Sequence, residues 1–293
     1  MVRGRSVNAG QGDAACVAEY DGLHGEIFNP REQQRLGDAV ARASAAVKTG
    51  GRQALDFGAG SGNLTRHMLD LGYSVTAADV SLDFLRIVEA RFRVPTLELP
   101  SASISGIPDE SFDLIGVYSV LHHIADYLAT AGGLVNKLKP GGVMLLDHEC
   151  NDNYWCVPPQ LAAFRRANAD ARTGAFWDPE HKRWQYLLRA GLVPSRHVAR
   201  YRYKRRISVE GDIHVYPDDH IDWARLIKAL EESGAEVVER MDYLLFSPTY
   251  DEAVWERYRH RCDDYSGVIV RRAESRSALP RRQPQRGAVA ANS

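Results

Sequence analysis

A glycine-rich run, Asp56 to Gly62, has the residue types of a ligand-binding loop between a predicted strand and a predicted helix. Glycines let the backbone approach a ligand closely, and the start of a helix offers unpaired N–H groups. Asp79 ends the next predicted strand, where a carboxylate can bind two ribose hydroxyls. Dinucleotide-dependent dehydrogenases share this device, so the run alone leaves the nucleotide open.

Titratable side chains follow two later strands of the predicted sheet. His122 and His123 follow the fourth strand, and His148 and Glu149 lie at the end of the fifth. Ligands bind at the carboxyl edge of such sheets, and an imidazole titrates near neutral pH. We therefore predict His123, His122 and Glu149 as catalytic candidates and His148 as a substrate contact in a wet cleft. Ring packing and loop capping are the alternatives.

A second group of titratable residues precedes a predicted helix near residue 220. His214, Tyr216 and His220 are predicted substrate contacts, and solvated or packed side chains are the alternative. Pro217 followed by Asp218 is typical of a helix start.

Basic and aromatic residues alternate from Arg200 to Arg206, as in a strand with one charged face. Such a face could bind an anionic group of the substrate, so Tyr201 and Arg202 are further candidates. A solvated edge strand protected by its charge is the alternative reading.

Cysteine usage predicts neither a disulfide framework nor a metal site. The four cysteines, Cys16, Cys150, Cys156 and Cys262, are scattered, and no histidine cluster has zinc-finger spacing. We therefore expect a reducing compartment and no metal.

Composition excludes several classes of protein. The chain has 293 residues, a net charge of −1, 44% hydrophobic and 26% charged residues, which is enough apolar material for a large core. Near-neutral charge argues against nucleic-acid binding. The sequence lacks an apolar run of about 18 residues and a signal-peptide pattern, so we expect a cytoplasmic protein without a membrane partner. A small-molecule substrate is expected, and a homodimer is left open.

Strands and helices alternate along the chain, which predicts an α/β fold with a parallel sheet covered on both faces. The predicted strands are Gln53 to Phe57, Val75 to Ala78, Pro95 to Leu99, Phe112 to Val120, Val143 to Leu146, Glu236 to Phe246 and Val268 to Val270. The predicted helices begin at Pro30, Asn63, Ser81, Ala125, Ile221 and Asp251, and a turn is expected over Pro140 to Gly142.

The alternation of strands and helices is interrupted once, after the fifth strand, and this interruption sets the predicted domain organisation. Residues 1–15 are expected to be disordered, residues 16–149 to form lid helices and the cofactor-binding core, and residues 150–217 to be an inserted substrate cap. Residues 218–273 then complete the α/β core, and residues 274–293 form a disordered tail.

Four motifs, taken in order, resemble the class I S-adenosylmethionine-dependent methyltransferases of small molecules. They are LDFGAGSGNLT, VTAADVS, IPDESFDLIGVYSVLHHI and LKPGGVMLLD, all between Ala54 and Asp147. The resemblance implies a Rossmann-like seven-stranded methyltransferase sheet with an inserted substrate-cap region. It also implies S-adenosylmethionine as cofactor and S-adenosylhomocysteine as product.

The resemblance implies which residues hold the cofactor, position by position. The family's acidic adenine contact falls here on Ser101 or Ala102, which departs from the pattern. The implied cofactor-binding residues are Tyr20, Asp56, Gly58, Ala59, Gly60, Gly62, Asn63, Asp79, Val80, Ser101, Ala102, Ser119 and Leu121.

In related enzymes a segment before the first helix folds over the cofactor, which implies such a role for Tyr20 or His24. We predict Tyr20 as a cofactor contact and His24 as a substrate contact. The alternative is an apolar staple that buries Ile27 and Phe28.

The function implied is methyl transfer from S-adenosylmethionine to a small or medium organic acceptor, by in-line displacement with possible histidine base assistance. Methylation at oxygen or nitrogen is favoured, and methylation at carbon stays open. The expected context is the biosynthesis of specialised metabolites or sugars. The alternatives are an RNA or protein methyltransferase, a cofactor-binding protein with another function, and a dinucleotide oxidoreductase.

Overall fold

A seven-stranded sheet forms the centre of the computed structural model, which describes residues 24–173 and 212–274. The strands are β1 (Gln53–Phe57), β2 (Ser74–Asp79), β3 (Thr96–Glu98), β4 (Phe112–Tyr118), β5 (Leu138–Cys150), β6 (Val215–Tyr216), β7 (Asp219–His220), β8 (Ala235–Tyr243) and β9 (Tyr265–Arg272). The helices are α1 (Pro30–Ala46), α2 (Asn63–Asp70), α3 (Leu82–Phe92), α4 (Tyr127–Val135), α5 (Asp152–Trp155), α6 (Pro159–Thr173), α7 (Trp223–Glu232) and α8 (Glu252–Tyr258).

The strand order, β3-β2-β1-β4-β5-β9-β8, confirms the predicted Rossmann-like sheet. Strands β1 to β5 are parallel, and β9 runs antiparallel to both of its neighbours. Because β1 pairs with both β2 and β4, the chain changes direction across the sheet at the carboxyl end of β1. Ligands of open α/β sheets bind at this switch point.

Local sequence signals fix where several helices start. Asn29 precedes Pro30, and its side chain accepts a hydrogen bond from the N–H of Glu32 at 2.9 Å. Ser81 caps α3 in the same way, and Asp222 caps α7. The predicted starts at Pro30 and Ser81 are thereby confirmed.

A buried ion-pair network anchors α1 to the sheet. Arg35 lies 2.9 Å from the carboxylate of Asp147 and also pairs with Glu32. The hydroxyls of Tyr118 and Tyr243 donate to Glu32 at 2.8 Å and to Asp147 at 2.9 Å. The network therefore joins α1 to strands β4, β5 and β8.

Three local predictions were wrong. Pro217 and Asp218 do not start a helix; they form the turn of the β6–β7 hairpin, and α7 starts later, at Trp223. The turn expected at residues 140–142 lies within β5 as a bulge, because the pairing steps from Phe112–Leu138 to Leu114–Val143. Strand β5 also continues through residues 147–150, since β9 pairs with it there.

The first part of the predicted cap region packs on the end of the core. Helix α6 lies against α8 through a buried cluster that includes Leu161, Phe164 and Trp255. The indole N–H of Trp255 donates to the carbonyl of Leu244 at 3.2 Å. Residues 150–173 therefore share a hydrophobic cluster with residues 244–262.

Several predictions concern residues outside the described ranges, namely Tyr20, Cys16, Tyr201, Arg202, the chain ends and most of the cap region. The described cysteines, Cys150, Cys156 and Cys262, are free thiols. None of the helices in the described ranges has the length and apolar character needed to cross a membrane.

Candidate active site

The loop after β1 forms a narrow cleft, here named the glycine cleft. It is lined by Ile27, Phe28, Asp56, Gly58, Ala59, Gly60, Ser61, Asn63, Leu64, Tyr118 and Ser119. Two glycines cannot be replaced without strain. A Cβ on Gly58 would lie 2.4 Å from Val120, and one on Gly62 would lie 2.4 Å from Phe92. Both residues also have positive φ angles, which favour glycine.

Asp56 and Asn63 place polar groups at the glycine cleft. Asp56 accepts a hydrogen bond from the Thr65 hydroxyl at 2.6 Å, and burial raises the pKa of Asp56 to about 7. The side-chain oxygen of Asn63 accepts from Gln33 at 2.8 Å. Its amide nitrogen is buried and, among the described residues, has no partner. The cleft thus offers a carboxyl group and an available amide donor.

Asp79 is buried at the carboxyl end of β2 and organises the loop. Its carboxylate accepts hydrogen bonds from the N–H of Gly60 at 2.9 Å and of Ser81 at 2.8 Å. Burial raises the pKa of Asp79, and these two bonds partly offset that effect. Each carboxylate oxygen retains a further acceptor site, so this geometry is compatible with the ribose contact expected for Asp79.

Four other expected cofactor contacts differ in placement. Val80 is exposed beside Asp79. Ser101 and Ala102 form a short turn after β3, and both have positive φ angles. Leu121 is fully buried and packs in the hydrophobic core, outside the lining of the glycine cleft.

A second cavity of about 280 Å³ adjoins the glycine cleft and is here named the histidine cavity. Its lining includes His24, His122, His123, His148 and His214. Ile27 and Ser119 line both spaces. Ser119 follows β4 with a positive φ of 59°, and its N–H donates to the carbonyl of Asp147. A ligand in the glycine cleft would therefore meet the histidine cavity at Ser119.

Among the predicted substrate contacts that the structure describes, His148 is the most buried, at 4% exposure. Its ring lies between those of Tyr118 and Tyr265, at centroid distances of 4.7 and 4.9 Å. Within the described part of the chain, neither ring nitrogen has a hydrogen-bond partner. Burial lowers the pKa of His148, so the ring is neutral at neutral pH and can accept a proton.

Residues 147–149 are buried within β5, and two of them, His148 and Glu149, line the histidine cavity. The carboxylates of Asp147 and Glu149 are hydrogen-bonded inside the protein. Glu149 accepts hydrogen bonds from the N–H of Val120 at 3.0 Å and of Leu121 at 2.7 Å. It therefore holds the turn that follows β4.

His122 is bound to Glu149, with 2.7 Å between Nδ1 and the carboxylate. Burial alone would raise the pKa of Glu149, but the interaction with His122 and the N–H of Leu121 outweigh it, and the pKa is lowered. Glu149 is thus an ionised partner that orients His122. This arrangement favours a positioning role for Glu149 rather than the catalytic one predicted.

His123 contacts a residue that the sequence reading missed. Its Nδ1 lies 3.2 Å from Asp212, whose carboxylate also lies 3.8 Å from Nε2 of His122. Asp212 lies near the end of the predicted cap region, about 90 residues later in the chain. No local motif marks it, because only the fold brings it beside the two histidines.

The remaining histidine candidates occupy the rim. His24 pairs with Glu26 at 3.0 Å and lines the histidine cavity. His214 bonds Asp219 and the carbonyl of Ile124, and His220 lies 3.3 Å from Asp152. His214 and His220 also line a separate acid-rich cavity of about 490 Å³.

Tyr216, the third candidate of this group, lines none of these spaces. Of the three, only His214 reaches the histidine cavity. The predicted group is therefore not one site: His214 lines both cavities, His220 lines only the acid-rich cavity, and Tyr216 lines neither.

Comparison with known proteins identifies the family. Residues 28–204 match a methyltransferase domain, and the chain belongs to this family. Ubiquinone biosynthesis O-methyltransferases of Xanthomonas campestris and Xanthomonas oryzae are similar over 112 residues, with 32% and 31% identity. The match covers 35% of this chain and 45% of each relative, so the chain spans about half the length of these relatives.

Solved structures share the fold. An S-adenosylmethionine-dependent methyltransferase from Clostridium acetobutylicum superposes with a TM-score of 0.54 at 13% identity, over 88% of this chain and 99% of that one. The [4+2]-cyclase SpnF superposes with a TM-score of 0.54 at 16% identity, over 92% and 96% of the two chains. With the family match, the fold defines a class I S-adenosylmethionine-dependent methyltransferase.

The residues of the glycine cleft fit S-adenosylmethionine. The available amide of Asn63 suits the carboxylate of the methionine part, and the carboxyl group of Asp56 suits its ammonium. The free volume of the cleft is about 50 Å³, far below the several hundred Å³ of typical ligand sites.

Proposed function

We propose that the protein methylates a hydroxyl group of a small or medium-sized organic acceptor bound in the histidine cavity. The observation that carries the proposal is the junction at Ser119, where the glycine cleft opens onto a cavity lined by a buried, neutral histidine. The names of the curated relatives, O-methyltransferases of ubiquinone biosynthesis, support an oxygen acceptor.

When bound, S-adenosylmethionine supplies an electrophilic methyl group on positively charged sulfur. Held in the glycine cleft, it would give up this methyl group to the acceptor oxygen, and the electron pair of the broken carbon–sulfur bond would stay on sulfur. His148 accepts the hydroxyl proton, because its ring is neutral and buried beside the cavity. The tyrosine rings on either side of His148 hold its orientation.

The lining of the histidine cavity favours an aromatic acceptor. Tyr154, Trp155 and Tyr265 contribute three aromatic rings, and Ile221 adds an apolar side chain. Offset stacking on such rings stabilises a planar ligand. A hydroxylated aromatic compound fits this combination of flat apolar surface and histidine. We further propose that this compound is an intermediate of specialised-metabolite biosynthesis.

Three alternatives share the cofactor site and differ in the acceptor or in the absence of methyl transfer. An RNA methyltransferase would need a basic surface, whereas the net charge is −1 and the acid-rich cavity repels phosphates. A protein methyltransferase would use the same cleft with a peptide acceptor. A repurposed fold would bind the cofactor without methyl transfer.

Mass spectrometry of the reaction products tests the proposal. The full chain is incubated with S-adenosylmethionine and matched sets of phenols, aromatic amines, RNA and peptides. We expect a phenol to gain the mass of one methyl group as an equal amount of S-adenosylhomocysteine forms. Methyl gain confined to RNA or peptides would contradict the proposal, as would product formation that His148→Gln leaves unchanged.

A further inference from the structure

Two histidines and one aspartate converge on the inner rim of the histidine cavity. His122, His123 and Asp212 each offer a ligand atom, and these atoms all lie within 4.8 Å of one another. Asp212 is the shared member, at 3.2 Å from Nδ1 of His123 and 3.8 Å from Nε2 of His122. All three side chains are partly buried and line the histidine cavity.

These distances suit a common cation. In a tetrahedral site with bonds of about 2.0–2.1 Å, neighbouring ligand atoms lie about 3.3 Å apart. The His123–Asp212 distance already matches this value, and the His122–Asp212 distance exceeds it by a fraction of an ångström. Small side-chain rotations would complete a three-ligand arrangement.

The surroundings of His122 match those of a metal-binding histidine. Such a histidine presents one ring nitrogen to the metal and the other to a carboxylate that fixes the ring orientation. His122 faces Asp212 with Nε2, while Nδ1 lies 2.7 Å from the buried carboxylate of Glu149. Glu149 is in turn held by the N–H groups of Val120 and Leu121.

The Oδ1 atom of Asp212, which is the atom nearest both histidines, is also buried. Despite the 3.2 Å distance to Nδ1 of His123, it makes no hydrogen bond within the described ranges. A buried carboxylate oxygen without a hydrogen bond is costly unless a cation balances its charge. Two imidazoles nearby complete a donor set of the kind that binds zinc-like cations.

We propose that His122, His123 and Asp212 bind a divalent cation of the zinc type, with its open coordination position toward the histidine cavity. Three protein ligands and one open position are the arrangement of catalytic rather than structural sites. The binding itself does not depend on the acceptor. Its use does rest on the proposed function: the cation would hold the acceptor oxygen near His148 and favour loss of its proton.

Metal titration of the full chain tests the binding directly. After chelator treatment, Co²⁺ is added while visible absorption is recorded, and Zn²⁺ is titrated by calorimetry. We expect one equivalent of either ion to bind with a micromolar or lower Kd, and Co²⁺ to give the absorption bands of a low-coordinate site. Asp212→Ala should weaken binding by at least tenfold, and Glu149→Gln by roughly 10–100-fold.

Asp219→Ala is the matched control, because Asp219 also pairs with a histidine, His214, outside the cluster. Its Kd for the cation should equal that of the wild-type chain. Failure of the wild-type chain to bind Co²⁺ or Zn²⁺ would overturn the proposal, as would equal binding by Asp212→Ala.

The two proposals fail in distinguishable ways. Methyl transfer to a phenol by chelator-treated protein that binds neither ion would overturn the cation site and leave the proposed function standing. Binding of the cation at Asp212 without methyl transfer to any phenol would overturn the proposed function and leave the site standing.

Discussion

Two histidines at the same edge of the sheet have opposite environments. His122 is oriented by an ionised carboxylate, whereas His148 is enclosed by aromatic rings and, among the described residues, has no hydrogen-bond partner on its ring. The sequence placed both at the carboxyl edge but could not rank them. Which histidine is the better candidate base depends on the burial of His148 and on the contact of Glu149 with His122. These two features shift the proposed base from His123 or His122 to His148.

Replacing His148 by glutamine should lower kcat for phenol methylation by about 10²–10⁴-fold, the usual contribution of a general base. The Kd for S-adenosylhomocysteine should stay unchanged, since His148 lines the histidine cavity and not the glycine cleft. His260→Gln, at an exposed histidine, is the control. An unchanged kcat in His148→Gln would remove the base assignment.

The pH profile provides an independent check on His148. Because burial lowers its pKa, the ring stays neutral as pH falls through the ordinary histidine range near about 6.5. The acid limb of kcat/KM should therefore lie below that range, and His148→Gln should abolish it. An acid limb at or above the ordinary range would contradict this assignment.

Asp79→Asn should raise the Kd for S-adenosylhomocysteine by about tenfold, the value of a charge-assisted hydrogen bond. Asp79→Ala should cost more, because it also frees the N–H groups of Gly60 and Ser81. Calorimetry measures both variants, with Asp70→Asn at an exposed site as control. Unchanged affinity in folded Asp79→Ala would refute the ribose contact.

At the scale of elements, the best-predicted features were those set by local chemistry. The Asn29 and Ser81 caps and the apolar core of β4 fix their elements without tertiary help. The failures came where tertiary pairing decides. Pro217–Asp218 suits a turn and a helix start equally, and β9 extends β5 across polar residues. Asp212 was missed for the same reason.

Arg35→Met should destabilise the protein by about 3 kcal/mol, because it leaves the buried carboxylate of Asp147 without its cation. Arg42 lies on the same helix as Arg35 and forms a partly exposed pair with Glu239 of β8. Arg42→Met removes that pair and should cost less than about 1 kcal/mol. Urea unfolding of the two variants measures both effects. Equal losses would show that the network does not anchor α1.

At the scale of the whole molecule, two buried carboxyl groups make stability depend on pH. Burial raises the pKa of Asp56 and of Asp264 to about 7 each. In the unfolded chain an aspartate has a pKa of about 3.9, so between these values the folded state binds more protons. The contribution of these two groups to stability should therefore fall as pH rises through this window and level off above it.

Asp56→Asn removes one of these two contributions. The stability of the variant relative to the wild-type chain should rise by up to about 1.4 kcal/mol per pH unit across the window. Urea unfolding at several pH values measures the difference, with exposed Asp38→Asn as control. A difference that does not change with pH would mean that Asp56 is ionised throughout.

The central claim is that the cofactor site and the acceptor site meet at Ser119. A crystal structure of the full chain with S-adenosylhomocysteine tests it most directly, whatever the acceptor. We predict that the ligand occupies the glycine cleft, with its sulfur at Ser119 and facing the histidine cavity. A sulfur directed away from His148, or a ligand bound outside the glycine cleft, would contradict the account.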